Sequence, residues 1–466
     1  MNASNHLGAH SISQTLADFG TGLAYDAIPE QVRERSKHLM LDAVGIALAS
    51  TRYDFAQRTL SAARELGEGD SDVIGLGAKL SLRDAILLNA VLVHGLDYDD
   101  THGRGVIHAT ASCFPAALGI AARLGASGQE LLTAYVLGME VATRVAAVPK
   151  GGLHQVGFHP TGLIGAFGCA MIAGKLQGQT AAQLVMAQGI ALSTASGSLE
   201  FLDSGAWTKR MHPGWAGVAG LTAATLARHG FTGPQAAYEG RFGLYKSHLG
   251  EREAECDYSL ATERLGSTWE VSEVSVKPIP ACHFTHAVAD AAMALHAQGI
   301  GLEDIVKVVA LVPRETVGIV CEPVTSKRKP ANSYEAQFSV PYAVASGLLR
   351  GHFGLPDLEP EAFGEPAALA LMSRIEYAVD PQSGFPRHYS GEVIVTLRDG
   401  RELRHREAIN RGCADRPLSN QDIVAKYREN ATTAVSPQRA ERILQAVLEL
   451  DRHAARDLSR ALAAPA

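Results

Sequence analysis

"GQELLTAYVLGMEVATRVAA" (128–147) is the stretch that most constrains the fold, because apolar residues cover nearly the whole circumference of the helix it would form. Its only charged residues are Glu130, Glu140 and Arg144. A helix that is apolar on almost every side is buried inside a protein rather than lying on its surface. The segment therefore predicts a central helix around which other helices pack.

The sequence on both sides, from about residue 10 to residue 250, also has helical patterning. Residues 29–50 begin with Pro29, which suits a first helical turn, and continue with apolar residues at helical spacing. Residues 161–176 and 216–230 are rich in Gly and Ala. Because no strand-like run precedes them, we interpret their glycines as positions of close helix packing rather than as a nucleotide-binding loop.

The pattern changes between about residues 269 and 408. Strands are predicted at 269–277, 304–313, 373–380 and 391–403, with a turn at Asp399-Gly400, and helices at 283–298, 334–350 and from 417 onward. We therefore predict an α+β, predominantly α protein. Residues 1–268 and 409–466 would form a large all-helical domain, and residues 269–408 a smaller α+β lid domain inserted into it.

The bulk composition excludes several classes of protein. The chain has 466 residues, a net charge of −7 and six cysteines. It has no basic surplus for nucleic acid or an anionic membrane, no apolar run of membrane-spanning length and no recognisable signal peptide. The cysteines form no CxxC pair, which favours reduced thiols over a disulfide framework or a four-cysteine zinc site. We expect a soluble cytoplasmic protein with no nucleic-acid or membrane partner.

The densest group of ionisable residues is "HGLDYDDTHGRGVIH" (94–108). On a helix that continues to Gly103, His94, Asp97 and Thr101 would lie on one face. Three interpretations are open from these residues alone. They are an acid–base site in which an aspartate orients a histidine, a metal site made of His and Asp, and a solvated helix end.

Four stretches place basic residues at or just before a predicted helix start, where backbone amides favour anions. They are His108 before a helix with Ser112 as cap and Pro115 in its first turn; His159 in "GFHPTG"; Lys209 and His212 in "WTKRMHPGWAG", with Pro213 in a first turn; and Lys277, Cys282, His283 and His286 in "VKPIPACHFTHA". Together they indicate a site that binds carboxylates or phosphates. Lysines beside such a cluster disfavour a bound cation, so no metal is expected.

The same motifs, in the same order, resemble those of the MmgE/PrpD superfamily. The resemblance rests on "HGLDYDDTH…IH", "FHPTG", "TKRMHPG", "VKPIPACHFTHA", "EAQFSVPYAVASGLL" (335–349) and "RPLSNQDIVAKY" (416–427), and it covers residues 10–455. The superfamily includes 2-methylcitrate dehydratases, cis-aconitate decarboxylases and iminodisuccinate epimerases. The resemblance implies a homodimer of mostly helical subunits with an α+β lid, and no required metal or organic cofactor.

The resemblance also implies the site residues. Carried over position by position, they are Asp97, Thr101, His108, His159, Lys209, Lys277 and Tyr342, with Cys282 and the adjacent His283 where the decarboxylases have a catalytic histidine. The lysines would clamp carboxylates, and His159 and His108 would transfer protons. Asp97 would orient a histidine, while Thr101 and Tyr342 would donate hydrogen bonds.

These features predict a cofactor-independent lyase of the dehydratase type, acting on a small di- or tricarboxylate such as 2-methylcitrate. The alternatives are an epimerase of an amino-dicarboxylate such as iminodisuccinate, a cis-aconitate-type decarboxylase and a non-catalytic carboxylate-binding protein. Two features differ from the decarboxylases. They are Cys282, and a gap from Thr101 to His108 that is one residue longer than in those enzymes. The pair Asp99-Asp100 differs from the methylcitrate dehydratases.

Overall fold

The computed structural model describes residues 11–463, which form two compact units. The first unit contains the described residues up to Val276 and those from Ser419, and the second is Lys277–Leu418. Helix accounts for 59% of the chain and strand for 9%, which confirms the predominantly α, α+β prediction. Within residues 11–463, none of the helices has the length and apolar character needed to cross a bilayer.

The first unit is built almost entirely of helices. They are α1 Ile12–Gly22, α2 Glu30–Ser50, α3 Asp54–Leu66, α4 Leu82–His94, α5 Ala109–Leu124, α6 Gly128–Ala147, α7 Gly152–Gln155, α8 Pro160–Leu163, α9 Gly165–Leu176, α10 Ala181–Leu192, α11 Phe201–Ser204, α12 Thr208–Arg228, α13 Leu244–Leu249, α21 Asn420–Ala431, α22 Pro437–Leu448 and α23 Ala455–Ala463. Its strands are two-residue pairs: β1 Ser71–Asp72 with β2 Lys79–Leu80, and β3 Thr101–His102 with β4 Val274–Ser275.

Helix α6 is the predicted central helix, and all of its residues except Gln129 and Glu130 are buried. A reciprocal capping box between Ser127 and Glu130 fixes where it begins. The two charges in its interior bind the irregular segment that follows α13. Arg144 donates to Glu140 and to the backbone carbonyls of residues 263 and 268, and Glu140 accepts from the backbone N–H of residue 271.

The glycine-rich segments form α9 and α12, and their glycines are positions of close packing, as predicted. A Cβ atom on Gly220 of α12 would lie 2.5 Å from the backbone nitrogen of Ala170 and 2.5 Å from the Cβ of Cys169, both on α9. Real Cβ atoms do not approach other heavy atoms so closely. The two helices can therefore meet at this distance only while position 220 is glycine.

The second unit combines a four-stranded sheet with helices. Its elements are α14 His283–His296, β5 Ile305–Val312, α15 Val317–Val320, α16 Val324–Lys327, α17 Ser333–Gln337, α18 Val340–Arg350, α19 Pro360–Phe363, α20 Pro366–Met372, β6 Ile375–Val379, β7 Gly391–Leu397 and β8 Glu402–Glu407. The strand order is β6-β5-β7-β8, with β5 and β6 parallel and the other pairs antiparallel. Three of the predicted strand segments are confirmed, and Asp399-Gly400 lies in the turn between β7 and β8.

The strand predicted at 269–277 is wrong. Residues Glu270–Glu273 form a single turn of 3₁₀ helix, and only β4 pairs as a strand, with the two residues of β3. Glu270 is buried and binds the side chains of His102 and Arg104 instead of continuing a ladder. Burial does not alternate here: residues 269–271 and 274–277 are buried, and only Ser272 and Glu273 are exposed. Residues 269–276 belong to the first unit, and Lys277 begins the second.

The close packing at Gly220 predicts that adding one methyl group there lowers the stability of the protein. We expect Gly220→Ala to lower the free energy of unfolding by about 1–3 kcal/mol, because the added Cβ overpacks α12 against α9. Gly22→Ala is the matched control, since a Cβ there meets nothing within 4 Å. Urea denaturation followed by circular dichroism measures both values. Equal stability of the two variants would contradict the packing argument.

Candidate active site

The polar stretch at 94–108 is not helical in the way the sequence predicted. Helix α4 ends at His94, so the predicted helical face shared by His94, Asp97 and Thr101 is wrong. Asp97 adopts a left-handed backbone conformation with φ of 52°, which aspartate tolerates better than most residues, and Thr101 lies in β3. The loop between them is buried, so its polar groups must be satisfied by partners from other helices.

The helix after this loop begins earlier than predicted. Helix α5 starts at Ala109, with His108 in the N-cap position, so Ser112 is not the cap and Pro115 lies in the helix interior. The backbone N–H of His108 donates to the side chain of Thr161, at 3.1 Å. This contact ties the start of α5 to α8.

Two other helix starts carry the remaining basic residues of the first unit. His159 is the N-cap residue of α8, with Pro160 at the first helical position, as predicted. Helix α12 begins at Thr208, so Lys209 and His212 lie inside its first two turns rather than before it, and Pro213 lies in the helix interior. Both helices direct these side chains toward the end of α4.

Four imidazole rings meet at this point, and we call His94, His108, His159 and His212 the histidine cluster. Ring centroids are 4.9 Å apart for His94 and His108, 5.6 Å for His94 and His159, and 5.1 Å for His159 and His212. The sequence positions of the four residues span more than a hundred residues, yet each lies at the end or start of a helix. The cluster is therefore a product of how α4, α5, α8 and α12 converge.

Asp99, not Asp97, is the carboxylate that contacts the histidines. Its Oδ2 lies 2.8 Å from Nδ1 of His94 and 3.7 Å from Nδ1 of His108. Asp97 instead pairs with Lys209, at 2.7 Å, and both of those side chains are largely buried. A carboxylate accepts, so Nδ1 of His94 carries the hydrogen and its Nε2 presents the lone pair. That buried Nε2 has no hydrogen-bond partner among the residues described.

His108 has the same tautomer for a different reason. Its Nδ1 lies 2.8 Å from the backbone carbonyl oxygen of Asp100 and 3.2 Å from the hydroxyl of Thr101. A carbonyl oxygen can only accept, so Nδ1 donates and Nε2 carries the lone pair of the neutral ring. Both rings therefore present Nε2 for proton transfer.

His159 and His212 share one proton. Their Nδ1 atoms lie 2.9 Å apart, which requires one ring to donate and the other to accept. Burial lowers the pKa of His159 well below its ordinary value, and the neighbouring titratable histidines and Lys209 add to the effect. Burial also lowers the pKa of His212 to about 4, with His94 and Lys209 adding to the effect. Both rings are neutral at pH 7.

The other predicted site residues lie in the second unit. Lys277 is buried, and Cys282 and His283 form the start of α14, where the backbone N–H of Cys282 donates to the carbonyl of Gln337 at 2.9 Å. Tyr342 is fully buried and its hydroxyl donates to the backbone carbonyl of Asp357. This contact favours a structural role for Tyr342. The assignment of these four residues to the site stays a prediction.

Three residues of the histidine cluster and its support were not among the predicted site residues. They are His94, Asp99 and His212, all of which lie inside the motifs that carried the family resemblance. Spacing gave no means of choosing between Asp97, Asp99 and Asp100. The choice depends on the turn at Asp97, which only the structure reveals.

The chain belongs to the MmgE/PrpD family. Residues 14–257 match the MmgE/PrpD N-terminal domain, and residues 279–452 match the MmgE/PrpD C-terminal domain. The resemblance stated from the motifs is confirmed.

Relatives in the family are similar to this chain over nearly its whole length. A cis-aconitate decarboxylase-like protein of Aspergillus oryzae is 25% identical over 97% of each chain. The cis-aconitate decarboxylase of Homo sapiens is 26% identical over 95% of this chain and 92% of its own, and that of Aspergillus terreus is 25% identical over 95% and 93%. The family and these relatives indicate a lyase, and they do not favour a non-catalytic binding protein.

The lowered histidine pKa values predict a loss of stability in acid. Between the ordinary histidine pKa of about 6.5 and the lowered value of about 4 for His212, the unfolded chain binds a proton that the folded chain does not. The free energy of unfolding should therefore fall as the pH falls through this range, by up to about 1.4 kcal/mol per pH unit for each such histidine.

The contribution of His212 can be measured by difference. Urea unfolding at several pH values should show a shallower pH dependence in His212→Asn than in the wild type. The exposed His229 provides the control, because His229→Asn should keep the wild-type slope. A His212→Asn slope that matches the wild type would show that His212 is not held neutral by the fold.

Proposed function

We propose that the protein is a lyase that acts on a small di- or tricarboxylate by moving a proton at a carbon next to a carboxylate, without an organic cofactor. The observation that carries this proposal is the pair of neutral, buried rings of His159 and His212 within the histidine cluster, beside Lys209. The residues supply a base, proton donors and a cation, which are the groups that such chemistry needs.

Neutral His159 is suited to be the base. A ring with a lowered pKa presents a lone pair at working pH. An anionic substrate beside it would favour the charged imidazolium and so raise its pKa, which makes proton uptake easier once substrate is bound. Lys209 would stabilise the carboxylate and the enolate charge that develops on it.

The shared proton gives His159 two roles. When Nδ1 of His159 donates to His212, Nε2 of His159 carries a lone pair and is a base. Once Nε2 has taken up a proton, the pair is cationic and Nε2 can give that proton back as an acid, whichever ring holds the hydrogen between the two Nδ1 atoms. The contact at 2.9 Å is satisfied in both tautomers. One histidine pair can therefore accept a proton from a substrate or deliver one to it.

Dehydration is the reaction that this geometry supports best. His159 would remove the proton from the carbon next to a carboxylate, the C–O bond would break, and the hydroxyl would leave as water with a proton from protonated His108. A 2-methylcitrate-like hydroxy acid has the required groups. This step uses the neutral state of His159 directly.

Decarboxylation is the second candidate, supported by the cis-aconitate decarboxylases among the relatives. Here the C–C bond to a carboxylate would break, carbon dioxide would leave, and a protonated histidine would deliver its proton to the carbanion. Cys282 and the longer loop before His108 differ from the pattern of those enzymes. An epimerase of an amino-dicarboxylate would use the same base but return the proton to the other face.

Proton NMR in D₂O with a panel of di- and tricarboxylates tests the proposal and separates the reactions. A new alkene signal without gas release indicates dehydration. Release of carbon dioxide from cis-aconitate indicates decarboxylation, and deuterium incorporation without net change indicates epimerisation. No change in any member of the panel would contradict the proposed function.

Chelation should leave this activity intact. Ligand atoms of His94, Asp99 and His108 lie within 4.8 Å of one another, which is close enough for a metal site. Nδ1 of His108 donates to a carbonyl and Nδ1 of His94 donates to Asp99, which leaves Nε2 of each ring as the nitrogen that could bind a metal. The positive charge of Lys209, which contributes to the lowered pKa of the neighbouring His159, disfavours a cation beside the cluster. We expect full turnover after dialysis against EDTA. Loss of activity that zinc or iron restores would show that the site is metal-dependent.

Removing Lys209 should lower turnover. Lys209→Ala deletes a charge-assisted bond worth about 1.5–3 kcal/mol, which is roughly a 10- to 150-fold loss in kcat/KM. Lys246→Ala removes an exposed lysine of the same unit, paired with Glu253, and should have no such effect. If Lys209→Ala lowers the melting temperature but keeps kcat/KM, Lys209 only balances Asp97 and is not part of the site.

A homodimer and a cytoplasmic location follow from the family resemblance and from the composition. Both stay predictions. Light scattering coupled to size-exclusion chromatography measures the first, and cell fractionation the second.

A further inference from the structure

The C-terminal motif "RPLSNQDIVAKY" has no part in the chemistry proposed above, but it ends in a buried lysine. Lys426 lies on α21 and its ammonium group pairs with Asp42 of α2, at 2.7 Å. Both side chains are at most 5% exposed. A buried ion pair is costly to form, so its place in the fold needs a reason beyond stability.

The ammonium group of Lys426 also binds the loop that carries Asp99. It donates to the backbone carbonyl of Tyr98, at 2.9 Å, and lies 3.8 Å from the centre of the Tyr98 ring. Tyr98 immediately precedes Asp99, whose carboxylate holds His94. The contact therefore fixes the peptide next to the residue that orients the histidine cluster.

The surroundings of this contact are acidic and buried. Asp42, Asp99 and Asp100 are each at most 2% exposed. Burial raises the pKa of Asp42, and Lys426 opposes this; burial also raises the pKa of Asp100 to about 8, although Thr110 donates to it. Lys426 thus places its ammonium group within this acidic cluster. Arg35 also lies nearby, but its guanidinium group donates to the carbonyl of Val274.

The packing of α2 against α21 is specific at this point. A Cβ on Gly45 would lie 3.1–3.3 Å from the ring, Cα and carbonyl oxygen of Tyr427, the residue after Lys426. Glycine at position 45 therefore lets the backbone of α21 come close to α2 beside Asp42. The approach places the lysine between Asp42 and the loop.

We propose that Lys426, paired with Asp42, is a positioning residue of the reaction: it fixes the Tyr98-Asp99 peptide so that Asp99 holds His94 with Nε2 available for proton transfer. This inference rests on the proposed function only for its effect on turnover. Its structural part, that Lys426 sets the contact of Asp99 with His94, stands on the distances alone.

The test compares two charge-neutral double variants. Lys426→Met with Asp42→Asn removes the positioning pair without leaving a buried charge unpaired. Lys37→Met with Asp451→Asn is the matched control, because Lys37 is a buried lysine on the same helix α2 that pairs with Asp451 at 3.0 Å. Lys426→Arg is a milder variant that keeps the charge but changes the donor geometry.

Two readouts separate positioning from stability. The first is turnover: we expect kcat of the Lys426→Met/Asp42→Asn variant to fall by about 100-fold with little change in KM, since misplacing a reacting group by about 1 Å has that effect. The second is the downfield proton resonance of the His94 Nδ1–H, identified by its loss in His94→Gln. It should shift or disappear in the double variant and stay in the control.

If the double variant does not fold, Lys426→Arg tests whether Lys426 positions Asp99. It should keep the melting temperature near that of the wild type while its His94 resonance shifts and kcat falls. An unchanged His94 resonance and an unchanged kcat in a folded variant would overturn the proposal. If the wild type turns over none of the carboxylates, the proposed function fails, but the resonance still decides whether Lys426 positions Asp99.

Discussion

The hydrogen bond between Asp99 and His94 is the interaction on which the rest of the site depends. It joins two side chains that are at most 1% exposed, at a distance of 2.8 Å. An ionised carboxylate in such a place is unfavourable unless partners surround it. The loop between α4 and β3 is therefore supported from several directions, by the starts of α5 and α12 and by α21. The helices of the first unit thus supply the hydrogen-bond and charge partners that allow this short polar loop to be buried.

Much of the fold could be predicted from periodicity. The central helix 128–147 was correctly bounded from its apolar pattern, and the structure adds the Ser127 cap at its start. The hairpin around Asp399-Gly400 was found because the turn signal lies between two alternating runs. The prediction at 269–276 was wrong because apolar and polar residue types alternate there while burial does not: a 3₁₀ turn exposes Ser272 and Glu273 and buries the residues on both sides. An alternating pattern of residue types does not by itself specify a partner strand.

The site was predicted less completely than the fold. His108, His159 and Lys209 were singled out because they lie at or near predicted helix starts, and the structure brings their side chains close together. Asp99 and His94 were missed because their pairing requires a left-handed turn at Asp97, and a single residue's φ is not visible in a pattern. The Asp97–Lys209 contact crosses 112 residues of sequence, and no local rule predicts a contact of that span.

The contact between Lys426 and Tyr98 spans 328 residues, and this has a consequence for how the protein is made. Ribosomes add about 5–20 residues each second, so roughly 16–66 s separate the synthesis of Tyr98 from that of its partner. During that interval the nascent chain contains Asp42, Asp99 and Asp100 but not the ammonium group of Lys426 that pairs with Asp42. The loop can reach its final geometry only when most of the chain has been translated, so the last helices complete the site that the first helices begin.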